Sequence, residues 1–481
     1  NSILSLYLSA FHFFVVTLHN NKLKYPVLLT DTMTKVIKLR KGLDIHLKGK
    51  AEKVKMKINI GKEVALCPDS FPGIQPKVVI KEGEHVKAGE ILFVNKQFPS
   101  VGFSSPVSGN VSSIVRGERR KVLQVVISLD ENQEYVDFGV RNVNDVSSKE
   151  IIDSLLRAGL FGYINQLPYA ISTNPDVLPK GIFISALRDK PLACDFEYEL
   201  IGNEIDFQTG LTALSRISKT YLGIGRNQCS ESLRRVKDVE VNIFDGPCPA
   251  GNVGVQINHI NPVNKGDVVW TVDPTTVIYI GRLFNKGKVD LHHTIAIVGS
   301  EVHEPCYADV LVGQKIETLL KDKISHERNV RIINGNVLTG RKCSLNDFVD
   351  AHASELTVIP EGDDTNELFG WIMPRFKDYS VNRSYFSWLT KNKEYTLDAR
   401  VKGGRRNMIM SGEYDSVLPM DILGEYLIKA IIVGDIDKME ALGIYEVSPE
   451  DFALPEFVDS SKLELQDIVR RGLDMLRKEN A

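Results

Sequence analysis

The sequence predicts a multidomain α/β protein with four parts in chain order: a biotinyl/lipoyl-like β barrel-sandwich domain, a Rossmann-like α/β domain, a β-grasp domain and a helical C-terminal region. Three observations carry this reading. Two glycine turns, "KEGEHVKAG" (81–89) and "SPVSG" (105–109), punctuate short β-branched runs. Helical and strand patterns alternate from about Asp145, and from Met420 the apolar spacing turns helical.

The size and balance of the chain fit this plan. At 481 residues it is too long for one core. Hydrophobic residues make up 43% and charged residues 25%, as in folded soluble domains. A formal charge of -3 gives no broad attraction to nucleic acid or to anionic lipid, so any membrane contact must be local. The six cysteines (67, 194, 229, 248, 306 and 343) form no CxxC pair, which points to reduced, mostly buried thiols rather than a zinc or iron–sulfur site.

The opening stretch is apolar from Ile3 to about Leu18, short of the ~20 residues that cross a bilayer. It also lacks the basic region and cleavage site of a secretory signal. Met33 opens "MTKVIKLRKGLDI", so residues 1–32 are read as a non-native upstream extension and the rest as soluble.

Residues 33–137 form the first domain. "KVVI", "EILFV", "GNVSSIV" and "KVLQVVISL" are strands, and Gly83, Gly89 and Gly109 allow positive φ at the corners. Residues 138–265 form the α/β domain. "SSKEIIDSLLRAGLFGYI" opens with a serine and a glutamate three positions on, a capping box, and "KGIFISAL", "YLGIG" and "VEVNIF" are strands separated by helices. Residues 266–325 read as strand-rich, with "NKG" (285–287) as a hairpin turn and a helix in "KIETLL", which suits a β-grasp (SLBB-like) module. Residues 326–481 are mixed, then helical in "MDILGEYLIKAIIVGD", "IDKMEALGI" and "LELQDIVRRGLDMLRKEN".

Each candidate for chemistry has a structural alternative that accounts for it better. Lys96 is the sole lysine between the two glycine turns of the carrier-like fold, but its neighbours Gln97, Phe98 and Pro99 are not those of a lipoyl or biotinyl acceptor. "FDGPCPAGNVG" (244–254) follows a strand, where a phosphate loop belongs. Gly246, Gly251 and Gly254 nevertheless miss the GxGxxG spacing, and Pro247 and Pro249 remove amide donors. His292 and His293 are adjacent in a strand and face opposite ways. His303 and Cys306 lack partners at ligand spacing. "PEGDDTNELFGWIMPRF" (360–376) sets acids before an aromatic cluster of Phe369, Trp371 and Phe376, and with Trp388 and "MIMSG" suits a protein interface. No catalytic, cofactor-binding or metal residue is assigned.

In order along the chain, "VIKLRKGLDIHLKGK", "VKAGEILF", "SPVSGNV", "RGERRKVLQ", "FDGPCPAGNVG", "GRLFNKG", "GSEVHEPC", "NGNVLTG", "ELFGWIMP", "YSVNRSYFS", "LPMDIL" and "GDIDKMEALG" together resemble the A subunit of the bacterial sodium-translocating NADH:quinone reductase (Na⁺-NQR). The resemblance runs from about Met33 to Ala481. It implies a peripheral subunit on the cytoplasmic face of the bacterial inner membrane, in a six-subunit complex that passes electrons from NADH to ubiquinone and exports Na⁺. In domain order that family resembles the flavin-binding subunit of respiratory complex I. The resemblance also implies that NADH, flavins and the iron–sulfur cluster are held by other subunits, that ubiquinone is the complex's substrate, and that the partners include a membrane-embedded subunit but no nucleic acid. The quinone-binding residues are left unassigned.

This sequence departs from the family at two places. Where many members read GPHPAG and then a histidine pair, it has Cys248, Gln256 and Asn258. Where others are cysteine-rich near the C-terminus, it has "PEFVDSSK" with Phe457, Asp459 and Ser460. Two other classes stay open: a self-sufficient NADH-oxidising flavoprotein, and an assembly scaffold without quinone contact.

Overall fold

The computed structural model describes residues 35–324, 328–363, 372, 375–376, 378–381, 383, 385–390 and 393–480. The reading of residues 1–32, and most of the acid-to-aromatic stretch with Phe369 and Trp371, lie outside the described residues.

The carrier-like domain is a sandwich of two antiparallel sheets. One holds Glu63–Leu66, Val122–Leu129, Gly109–Arg116 and His85–Val86; the other holds Pro76–Val78, Ile91–Asn95 and Gly102–Ser104. Alternation along the strands sends Val64, Phe93, Phe103, Val111, Val125 and Ile127 into one core. Gly83 and Gly89 take φ of 82° and 94° as their turns require. Gly109 differs from the expectation. Its φ is not in the left-handed range; a side chain is excluded because a Cβ would lie 2.0 Å from the Ser128 carbonyl oxygen across the strand pair.

The first residues of the expected β domain belong elsewhere. Lys35–Lys38 adds a parallel edge strand to the α/β sheet beside Glu240–Asp245, and Glu52–Lys57 pairs with Cys306–Leu311 in another sheet. The sequence reading placed both runs in the β domain by their position alone, but the partner of a strand is set by long-range pairing that a run of four to six residues does not encode.

The α/β sheet has seven strands in the order Lys35–Lys38, Glu240–Asp245, Thr220–Gly225, Ile182–Ser185, Val269–Val272, Asn165–Leu167 and Ile171–Ser172. The first five are mutually parallel and the last two form an antiparallel hairpin. The helix Ser148–Arg157 starts with the expected capping box: Ser147 Oγ accepts from the Glu150 amide and Glu150 Oε2 accepts from the Ser147 amide at 2.9 Å.

In the strand-rich reading of 266–291, Val269–Val272 is a strand, but the reading of the residues after it is overturned. "PTTVIYIGRLFNK" is a helix, Pro274–Lys286, packed on the helix Glu204–Ser215, and Gly287 is its left-handed C-cap at φ 66° rather than a hairpin turn. The β-branched Thr, Val and Ile suggested a strand. The stronger signal was the Asp273 cap, whose carboxylate accepts from the Thr275 amide at 2.8 Å, followed by proline at the first helical position. A boundary at 265–266 therefore falls inside the α/β sheet.

The β-grasp module begins at His292. Its six-stranded sheet runs Arg341–Cys343, Val330–Asn334, Glu355–Pro360, His292–Val298, Cys306–Leu311 and Glu52–Lys57, with the short helix Ile316–Leu320 against it. The C-terminal helices Gly424–Val433, Ile436–Ala441 and Leu465–Glu479 share a core with Ile37, Leu39, Phe244 and Val255 of the α/β sheet and its flank.

Candidate functional site

A cavity of about 540 Å³ opens at the C-terminal ends of the strands Ile182–Ser185 and Val269–Val272. The chain lays strands Thr220–Gly225 and Glu240–Asp245 on one side of Ile182–Ser185 and then crosses to place Val269–Val272 on the other. The order thus reverses at this point, which is where open α/β sheets bind ligands. Asn334, Asn336, Arg341, Asp350 and Glu355 of the β-grasp module, Asp69 of the barrel-sandwich domain and Glu450 of the C-terminal region also line the cavity, so all four parts of the chain contribute to it.

Its charge does not suit a nucleotide phosphate. Asp69, Asp189, Asp273, Asp350, Glu355 and Glu450 line it against the cations Arg188, Lys190 and Arg341. The cations are already engaged. Arg188 Nη1 donates to Glu199 Oε2 at 2.7 Å and Nη2 to Thr275 Oγ1 at 2.8 Å, while the Thr275 hydroxyl donates to Glu199 Oε1 at 2.7 Å. Burial pushes the Glu199 carboxyl up, and the charge of Arg188 opposes that. Lys190 pairs with Glu450, and Arg341 donates to Asp350 at 2.9 Å.

The glycine loop after Glu240–Asp245 is likewise occupied by the chain itself. The Gly251 amide donates to Asp189 Oδ2 at 2.7 Å, and a Cβ at Gly251 would stand 2.4 Å from the Leu187 carbonyl oxygen. At the N-terminus of the next helix, Val253–Ile260, the fully buried Asp451 accepts from the Asn252 side chain at 3.3 Å and lies against Gly254. These two carboxylates stand where a bound phosphate would be stabilised by amides and by the helix dipole. Burial raises both, Asp189 and Asp451 each to about 6. The proline-locked turn is held from outside by Asp44, which accepts from the Cys248 amide at 2.9 Å.

The other sequence candidates are dispersed. Lys96 is exposed in the hairpin between Ile91–Asn95 and Gly102–Ser104. His292 faces solvent and bonds Asp290 at 2.8 Å, whereas His293 points inward to the Ala353 carbonyl at 3.1 Å. Burial lowers His293 to about 4, so it is neutral at pH 7. Cys306 Sγ lies 3.5 Å from the sulfur of Met56 and His303 is exposed away from it; among the described residues no three His, Cys, Asp or Glu side chains are grouped to hold a metal. Gln256 donates to Ser185 Oγ at 2.8 Å and Asn258 to Glu446 at 2.6 Å, so both serve packing contacts. Trp388 is 46% exposed, with Arg383 5.3 Å above its ring.

Sequence reasoning missed Arg188 and Asp189. The available signal was "LRDK" (187–190) directly after a buried strand, the position at which α/β sheets present site residues. Asp451 and Glu199 gave no local signal. Among the described residues no helix is long and apolar enough to cross a membrane.

Comparison with known proteins agrees with this domain order. The profile described as "NqrA N-terminal barrel-sandwich hybrid domain" matches residues 37–130, "NqrA second alpha/beta domain" matches 146–289, and "NQRA C-terminal domain" matches 294–344. The A subunit of the Na(+)-translocating NADH-quinone reductase of Neisseria meningitidis serogroup A / serotype 4A is 34% identical over 451 residues, covering 92% of this chain and 100% of the relative. Its same-named counterpart in Haemophilus influenzae (strain 86-028NP) is 33% identical over 449 residues with the same coverage. The crystal structure of the NAD+-reducing [NiFe]-hydrogenase in the H2-reduced state aligns with 45% of this chain and 48% of that chain at 11% identity and a TM-score of 0.32, too slight a likeness to bear on the fold. The profile matches and the full-length likeness to the Neisseria and Haemophilus proteins show that the chain belongs to the NqrA family, the A subunits of the Na(+)-translocating NADH-quinone reductases.

Proposed function

We propose that this chain is a peripheral subunit on the cytoplasmic face of a Na⁺-translocating NADH:ubiquinone reductase, that it docks on a membrane-embedded partner, and that it contributes to quinone reduction coupled to Na⁺ export. The observation that carries this reading is the 34% identity over the whole length of an NqrA relative. NADH, flavins and the iron–sulfur cluster then reside on other subunits. The cavity at the sheet's switch point supports this division of labour, because Asp189 already takes the Gly251 amide and its lining carboxylates would repel a dinucleotide's phosphates. Exposed Phe376, Phe386, Trp388 and Leu389 offer apolar area toward a docking interface, which in a standard complex buries on the order of 1,600 Å².

Two measurements test the proposal. In the first, the purified chain is given NADH and an acceptor dye; bleaching of the dye would establish the self-sufficient flavoprotein instead. In the second, the intact complex is irradiated with a photoreactive quinone analogue. Labelling of this chain that excess quinone suppresses is the expected result, and its absence would leave an assembly scaffold.

A further inference from the structure

A second cleft, of about 250 Å³, is lined by Tyr379, Ser380, Val381 and Tyr385, by the turn at Gly403 and Gly404, and by the turn that follows Phe457. Its lining holds Lys402, Arg406, Lys462, Ser380 and Ser460, and among the described residues no Asp or Glu. The turn follows from Asp459. That side chain is buried, and its two oxygens accept from the Ser461 amide at 3.0 Å and the Leu463 amide at 2.7 Å. The wrap leaves Lys462 in the left-handed region at φ 59°, a conformation an unbranched non-glycine residue adopts only at a cost. The 405–409 segment is tied to the same turn, with the Arg406 amide donating to the Ser461 carbonyl at 2.9 Å and the Ile409 amide to Ser461 Oγ at 3.1 Å.

The neighbouring cations are neutralised and these three are not. Arg400 pairs with Asp398 at 2.6 Å and Arg405 with Glu464, whereas among the described residues no ion pair is formed by Lys402, Arg406 or Lys462. Lys402 acts on Asp398 only through space, helping to hold that carboxyl low beside its direct partner Arg400. Glu413 accepts from the Ser460 amide at 3.1 Å and does not line the cleft. Tyr379 and Phe457, with ring centroids 5.8 Å apart, form an aromatic wall beside the cations. Three cations lining one cleft, two serine hydroxyls and a wall of two tilted aromatic rings match a phosphate group carried on an apolar or aromatic body.

We propose that this cleft binds a phosphate-bearing ligand, its phosphate held by Lys402, Arg406 and Lys462. The site goes beyond the role in the reductase and does not depend on it, because the test needs only the purified full chain.

Inorganic phosphate is titrated calorimetrically at constant ionic strength, and the chain is separately sedimented with vesicles of phosphatidylglycerol in phosphatidylcholine against phosphatidylcholine alone. Lys402→Glu and Arg406→Glu each weaken binding about tenfold or more. Lys462→Gly, which relieves the left-handed strain, keeps or raises the melting temperature and still loses affinity. The control changes Lys149→Glu and Lys237→Glu, exposed elsewhere, leave binding unaltered. Phosphate binding without vesicle binding identifies a soluble phosphoester; vesicle binding that the cleft variants abolish and inorganic phosphate competes away identifies a lipid headgroup. Either result supports the site. No binding in both arms, survival of binding in the cleft variants, or equal losses in the controls overturns it.

Discussion

The cavity at the ends of Ile182–Ser185 and Val269–Val272 and the cleft beside the Asp459–Leu463 turn are both lined by charge, yet in the first each cation already has a carboxylate partner and in the second the three cations have none among the described residues. The first is sealed by its own side chains: Arg188 is locked on Glu199 and Asp189 on the Gly251 amide. The difference shows how to tell charge that holds domains together from charge that awaits a ligand. Structural ions are buried with their hydrogen bonds satisfied, since an unpaired buried ion is costly, whereas binding ions stay hydrated at a lip and lose little by waiting.

The sharpest way to break that comparison is to delete one partner in the sealed cavity. Arg188→Leu leaves Glu199, only 1% exposed, without its counter-charge, and denaturant unfolding should show a loss of about 3–5 kcal/mol. The double variant Arg188→Leu/Glu199→Leu should recover part of it, because the isolated buried charge is gone.

A second, smaller effect concerns pH. Asp189 is raised from 3.8 to about 6 in the folded chain, so the native state holds more protons than the unfolded state between those values and stability falls as pH rises through that window. Asp189→Asn removes this proton uptake and keeps an acceptor for Gly251. Its melting temperature should therefore decline less steeply from pH 4 to 6 than that of the parent chain; Asp451, raised by burial to about the same value, leaves some slope behind.

In the open cleft the effects on folding should be slight. Lys402→Ala and Arg406→Ala, both exposed, should change stability by no more than about 0.5 kcal/mol while weakening phosphate binding. Lys462→Gly should be neutral or stabilising by up to about 1 kcal/mol in thermal denaturation, the only favourable single change. If Arg406→Ala instead unfolds the chain as Arg188→Leu does, the contrast between the two sites is lost.

Several of these features could be read in the residue order. The glycine turns at 83 and 89, the Ser147 capping box and the strand Ile182–Ser185 are local, and each formed where its sequence indicated. The helix Pro274–Lys286 was also encoded, by Asp273-Pro274 at one end and Gly287 at the other, but its β-branched interior masked the signal. The two clefts were not legible. Arg188 meets Thr275 across 87 residues of chain, and Lys402 and Lys462 line one cleft because the Asp459 turn is tied back to the 405–409 segment.

What the sequence determined by itself was the order of domains, the short-range turns and caps, and membership of a family whose motifs recur in register, because hydrophobic period and turn chemistry act over a few residues. Tertiary structure alone decided where Lys35–Lys38 and Glu52–Lys57 pair, that Asp189 and Asp451 bond the glycine loop and the start of the helix after it, and that Lys462 lines a cleft with Lys402 and Arg406, none of them ion-paired among the described residues. Strand partners and ion pairs depend on through-space distance, and no local spacing in a chain reports which charges will be brought within a few ångströms and which will be left facing water.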